Sequence, residues 1–136
     1  MVTVEDLNRR SSGHFPAFLG IRVTHVEPGE VRAELAVTSS LMAPNGFLHA
    51  AAVVALADTA CGYGCIASLP EGAAGFTTVE LKSNHLGTAR SGIIECVARA
   101  THLGRSTQVW DAVVTSRETG KRIALFRCTQ MILQPA

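Results

Sequence analysis

The order of its hydrophobic periods predicts that this chain folds as α+β, with a mostly antiparallel sheet curled around one long central helix. Three observations carry that prediction. Strand-like stretches follow one another in runs with a single long helix between them, whereas a parallel α/β fold needs strands and helices to alternate. The helical segment, His49 to Leu69, is apolar almost all round and so belongs inside the molecule. The 136 residues are 47% hydrophobic and 17% charged, which is ample for one core and too short for two ordinary domains. Residues 1–136 are therefore expected to form a single domain.

Thr3 and Asp6 have the spacing of a capping box, and Leu7, Phe15 and Phe18 flank a polar stretch, so residues 3–18 read as a short, broken helix. From Ile21 the period changes to two. Ile21 and Val23 precede the turn Glu27-Pro28-Gly29-Glu30, and Val31, Ala33, Leu35 and Val37 follow it, which makes a hairpin. Thr38 to Leu48 is a loop containing Pro44, Asn45 and Gly46. It feeds the long helix, which Pro70 stops. Ala60, Gly62 and Gly64 leave room for a sheet to approach the helix axis. Four strands are expected beyond it, at about 76–84, 92–102, 106–117 and 121–133, separated by turn signals at Gly87-Thr88, Leu103-Gly104 and Glu118-Thr119-Gly120.

With 12 Lys+Arg against 11 Asp+Glu, the net charge of +1 offers no electrostatic footprint for nucleic acid or an anionic membrane. The longest uninterrupted apolar run, Ala50 to Ala57, is far short of the roughly 20 residues that cross a bilayer. Glu5 and Asp6 precede any hydrophobic stretch, the wrong order for a secretory leader, so a cytoplasmic address is expected. Cys61, Cys65, Cys96 and Cys128 lie in apolar segments without a Cys-x-x-Cys pair, and they read as buried free thiols. No metal site is expected.

Asp58 stands out, as a carboxylate in the middle of the most apolar helix of the chain. An unpaired buried carboxylate costs several kcal/mol. Either neighbouring donors or solvent satisfy it, or it is a base or nucleophile opening into a cleft. The helix that carries it begins after His49, where orphan amides and the positive end of the helix dipole suit a developing oxyanion, and Asn45 can add a side-chain donor. Asn45-Gly46 also has the plainer reading of a turn. Ala50 and Asp58 lie eight residues apart, about 12 Å along a helix axis, too far for both to act on one carbon. If both are catalytic, each site takes its helix start from one subunit and its Asp58 from another. A two-fold dimer with antiparallel central helices supplies two such sites.

Asn45-Gly46-Phe47-Leu48-His49-Ala50-Ala51 followed by Ala55-Leu56-Ala57-Asp58-Thr59-Ala60 resembles the loop-to-helix motif of the hot-dog-fold acyl-CoA thioesterases, in particular the phenylacetyl-CoA thioesterase branch. The resemblance runs from about Phe18 to the C-terminus. It implies a hot-dog fold and a homo-oligomer, a dimer or a dimer of dimers, that hydrolyses a small-molecule acyl-CoA without a cofactor, coenzyme A being part of the substrate. Asp58 is then the catalytic carboxylate, acting as base or nucleophile. The Ala50 N–H polarises the thioester carbonyl with help from Asn45, and His49 lies beside them. Thr78, with Thr77 as the substitute, takes the place of the family's water-holding hydroxyl. The turn holding Gly104, Arg105 and Ser106 resembles the segment that contacts coenzyme A, and Arg90 and Arg105 are candidate phosphate partners, although solvated hairpin charge is the plainer reading of both. Where the family has His-Gly-Gly this chain has His49-Ala50-Ala51, which adds methyl groups close to the substrate.

Three other roles are weighed. His14-Phe15-Pro16 is similar to a motif of acyl-carrier dehydratases, but it precedes the first strand instead of the central helix. A regulatory acyl-CoA-binding module explains the fold without turnover and leaves Asp58 idle. A purely structural or partner-bridging protein leaves it idle too. Phe47, Leu48, Tyr63 and Leu86 can line an acyl pocket or serve as core, so the acyl group stays open.

Overall fold

The computed structural model describes residues 1–136. Two short helices, α1 (Val4–Ser11) and α2 (Phe15–Leu19), lead into the hairpin β1 (Arg22–Glu27) and β2 (Glu30–Ala36). A single 3-10 turn (Ser39–Leu41) and a loop precede the central helix α3 (Ala50–Ala67). Four strands follow: β3 (Gly75–His85), β4 (Ile93–Leu103), β5 (Thr107–Ser116) and β6 (Arg122–Leu133). They form one six-stranded antiparallel sheet in the order β1-β2-β4-β5-β6-β3, which wraps α3 in the hot-dog arrangement.

The sequence signals act locally as expected. Thr3 accepts from the Asp6 N–H at 3.1 Å while Asp6 accepts from the Thr3 N–H at 2.9 Å, closing the capping box of α1. The expected N-terminal helix is two helices, because Gly13, at φ +78°, breaks the path between Ser11 and Phe15. Pro28-Gly29 closes the first hairpin, with Gly29 at φ +79°. His49 is the N-cap of α3 and lies outside its first turn.

As a helix, α3 is long and apolar enough by composition to cross a membrane, a property that the uninterrupted apolar run alone concealed. Here it is the core helix of the sheet. Ala52, Val53, Leu56, Ala57, Ala60 and Cys61 are buried, while Ala51, Val54, Ala55, Asp58 and Thr59 form an open flank. The helix is therefore half-covered, not enclosed as its composition suggested. All four cysteines are buried, and burial pushes Cys65 and Cys96 up to about 12, which keeps them as inert thiols.

Close approach of helix and sheet depends on glycine. A methyl group at Gly64 would meet the Trp110 ring at 2.5 Å and 2.6 Å. That ring cannot retreat, because it is fully buried and its Nε1–H donates to Gln108 Oε1 at 2.8 Å, while Gln108 Nε2 donates to the Ser68 carbonyl at 2.9 Å. Gly64→Ala is expected to cost about 2 kcal/mol net, overpacking outweighing the gain in helix propensity. Gly62→Ala, whose methyl meets only the tip of the half-buried Phe76 ring at 3.0 Å, is expected to be near neutral. Thermal melts of the two variants side by side check this; equal melting temperatures would refute it.

Candidate active site

Asp58 lies on the open flank of α3 with its Oδ1 buried and without a hydrogen-bond partner. Burial raises its pKa, and no neighbouring cation opposes the effect. Asp111 is the instructive contrast. Arg127 grips it with two hydrogen bonds of 2.5 Å and 2.8 Å and Thr101 adds a third, holding its carboxyl below the usual range. Asp111 lines a hollow of about 470 Å³ on the convex face of the sheet, and its lone pairs are already committed. Asp58, by contrast, has no partner in the chain that favours its charged form.

Cross-strand register shows which residues of β3 lie on the inner face of the sheet. Phe76 and Thr78 on β3 share the inner face, since their partners Ile132 and Gln130 are buried. A bulge between Thr78 and Glu80 resets the alternation, so Leu81, Ser83 and His85 also point inward, opposite buried Cys128, Phe126 and Ala124. Gly62 lies against Phe76, and Cys61 lies beside Cys128, whose neighbour on β3 is Leu81. Thr78 and Ser83 thus share the face of β3 that packs on α3. Ser83 Oγ, like Asp58 Oδ1, is buried and unpartnered. The sequence reading did not single out Ser83, because a serine in an alternating strand carries no signal until a bulge decides its face.

The second cluster gathers at the start of α3. As the first helical residue Ala50 has no intrahelical acceptor, and nothing else in the chain accepts its N–H. His49 Nδ1 accepts from the Ala51 N–H at 2.9 Å, which leaves the proton of the neutral ring on the outward Nε2. Asn45 Oδ1 accepts from the Phe47 N–H at 3.1 Å, so Asn45 is a turn former whose Nδ2 stays free to donate. Arg90 reaches the same loop: its Nε donates to the Gly46 carbonyl at 3.3 Å and its guanidinium lies 5.1 Å from the centre of the Phe47 ring. Leu48 N–H donates to Thr88 Oγ1 at 2.9 Å and ties the loop to the β3–β4 connection.

Gly104, Arg105 and Ser106 form the β4–β5 turn at the far end of the helix, next to Gln108 and Ser68. Within one chain they stand about 27 Å along α3 from Ala50 and Arg90, given its 18 residues. Of the four residues expected to line an acyl pocket or the core, Leu48 and Tyr63 are core, and Phe47 and Leu86 are exposed. A cavity of about 230 Å³ beside the helix start is lined instead by Phe15 and Leu19 of α2, Ser40, Leu41, Met42, His49, Ala51 and Ala52. Elsewhere, His25, Glu27 and Glu30 converge on the first hairpin, but Arg32 and Arg99 already occupy both Glu30 oxygens at 2.9 Å.

A six-stranded antiparallel sheet wrapped on one long helix is the fold of the hot-dog thioesterases. Residues 45–123 match the family model of the thioesterase superfamily. The chain is 36% identical to the 1,4-dihydroxy-2-naphthoyl-CoA hydrolase of Listeria monocytogenes over 82% of this chain and 89% of the relative. It is 33% identical to the protein of the same name in Escherichia coli, over 97% and 96% of the two chains. Among solved structures, a thioesterase of Haemophilus influenzae superposes with a TM-score of 0.91 at 30% identity, covering 98% of this chain and 92% of that one. The chain belongs to the thioesterase superfamily and is a thioester hydrolase.

Proposed function

We propose that the protein hydrolyses acyl-CoA thioesters at a site completed by a second copy of the chain. The observation that carries this reading is the half-buried Asp58 on the open flank of α3, whose Oδ1 is buried and unpartnered. The Ala50 N–H, the His49 Nε2–H and the Asn45 amide hold the thioester oxygen. Asp58 of the facing copy takes a proton from water as the water oxygen bonds to the carbonyl carbon, with Thr78 at the rim helping to hold that water. The C–S bond then breaks, and the proton held by Asp58 passes to the departing coenzyme A sulfur. These steps need no metal.

Two separations support the composite site. Ala50 and Asp58 cannot reach one carbon within a chain, and neither can Arg90 and the 104–106 turn bind one coenzyme A. Antiparallel packing of two α3 helices relieves both together, because it sets the end of one helix beside the start of the other. β3 supplies the contact: it is an 11-residue edge strand with exposed Val79 and Leu81, a form of edge that solitary proteins usually blunt. A dimer of such dimers extends the arrangement.

Free-thiol release from a panel of aryl, short-chain and long-chain acyl-CoA esters tests the reaction. Tight binding of the esters with no release would instead favour a regulatory ligand-binding module. Arg90→Ala is expected to raise KM several-fold with kcat nearly unchanged, the signature of lost phosphate binding. A fall in kcat alone would place Arg90 elsewhere in the mechanism.

A further inference from the structure

We infer that α1 closes the β1 edge of the sheet, and that this contact makes assembly through β3 end at a pair of chains instead of running on as an open ribbon. The inference builds on the β3 contact proposed above and adds what limits it. Asn8 carries it. Its Oδ1 accepts from the Val23 N–H at 2.9 Å and its Nδ2 donates to the Val23 carbonyl at 3.0 Å. One side-chain amide thus makes the two bonds that a residue of an added antiparallel strand would make. The main chain of Val23 is the outward-bonding position of this edge strand, and Asn8 occupies it.

The amide is held in place from both sides. Leu7 is fully buried, and Ser11 Oγ shares a hydrogen bond with the Tyr63 hydroxyl on α3. The rest of β1 is blunted by other means: the register shifts between Val23 and His25, and Pro28 follows the strand. β3, at the other edge, has none of this protection. Its only side-chain hydrogen bond, Glu80 with Thr129, leaves its main chain free, and Val79 and Leu81 are exposed. The two edges decide how copies add. Setting β1 of one copy on β3 of the next leaves a fresh β1 and a fresh β3 each time, a head-to-tail contact that never closes. Setting β3 on β3 uses the free edge of both copies and leaves two closed β1 edges, so the sheet stops growing at two chains.

Sedimentation of the wild type, Asn8→Ala, Asn8→Asp, Arg9→Ala and the double variant Asn8→Ala/Val79→Lys tests this. The wild type should reach a mass that no longer rises with concentration. Asn8→Ala should keep growing, to a weight-average mass roughly fourfold or more above it. Asn8→Asp keeps the shape and the acceptor for the Val23 N–H and loses only the donor, so it should fold as the wild type does and grow less far. Arg9 is the next residue of α1 and is exposed, so Arg9→Ala should match the wild type. Val79→Lys places a charge on the free edge and should stop the growth of Asn8→Ala, because every ribbon needs β3. In dilute samples the Val23 amide should exchange with solvent on the order of 10²-fold faster in Asn8→Ala than in the wild type. Both Asn8 variants at the wild-type mass would overturn the inference, and so would growth that survives Val79→Lys. Failure of the β3 contact is distinct: the wild type would then stay a single chain, while the Val23 amide would still report on the closed edge. No step uses an ester, so the outcome does not depend on hydrolysis.

Discussion

Replacing the Asp58 carboxylate by an amide, Asp58→Asn, should lower kcat by on the order of 10² or more while ester binding survives, since a general base contributes roughly 10²–10⁴-fold. The substitution keeps shape and removes only the capacity to accept a proton. Two further signs accompany it. Burial raises the Asp58 pKa, so wild-type kcat/KM should fall as the pH drops through a value above the ordinary carboxylate range, and this acidic limb should be missing from any residual activity of the variant. Stability should move the other way. A carboxyl whose pKa is raised on folding adds stability below its unfolded pKa, and that contribution is lost as the pH rises through the folded value. At neutral pH the charged Asp58 therefore burdens the fold, and Asp58→Asn should melt at or above the wild-type temperature. Unchanged turnover would remove Asp58 from the mechanism; a sharp drop in melting temperature would make it a structural carboxylate.

That tension between stability and chemistry is also why Asp58 was legible in the sequence. A single charge in an apolar helix conflicts with its local pattern, and such conflicts concentrate at functional sites. Local signals were equally readable: the Thr3–Asp6 box, the Pro28-Gly29 turn and the alternation of the four later strands all depend on neighbours a few residues apart. What stayed hidden depends on distant neighbours. Phe15, Met42 and Ala51 meet at one cavity only because α2, the 3-10 turn and α3 converge in space. The open flank of α3 was obscured because Val54, Ala55 and Thr59 are as apolar or as small as their buried neighbours. Ser83 and Thr78 take the same face only because a bulge separates them. Gln108 and Gln130, fully buried on the inner face, break the rule that polar strand residues face outward.

Ala50→Pro should abolish one oxyanion donor without harming the helix, and together with Asp58→Asn it shows whether the site is shared. Proline lacks the N–H and suits the first helical position, where no intrahelical bond is lost. The residue before it must be extended, and His49, at φ −64° and ψ 131°, already is. Turnover should fall roughly 10²–10³-fold, the usual effect of deleting one oxyanion donor. Each variant alone then leaves both sites of a dimer defective. In a mixed dimer, one site pairs the intact Ala50 of the Asp58→Asn chain with the intact Asp58 of the Ala50→Pro chain, and the other site carries both lesions. Unfolding and refolding the two together at equal concentration should therefore restore about a quarter of wild-type activity, because half the dimers are mixed and each has one working site. A site contained within one chain predicts no recovery at all, since every chain would keep its own lesion. Recovery that requires refolding, and is absent when the folded variants are simply combined, would also show that the interface is stable on the assay timescale.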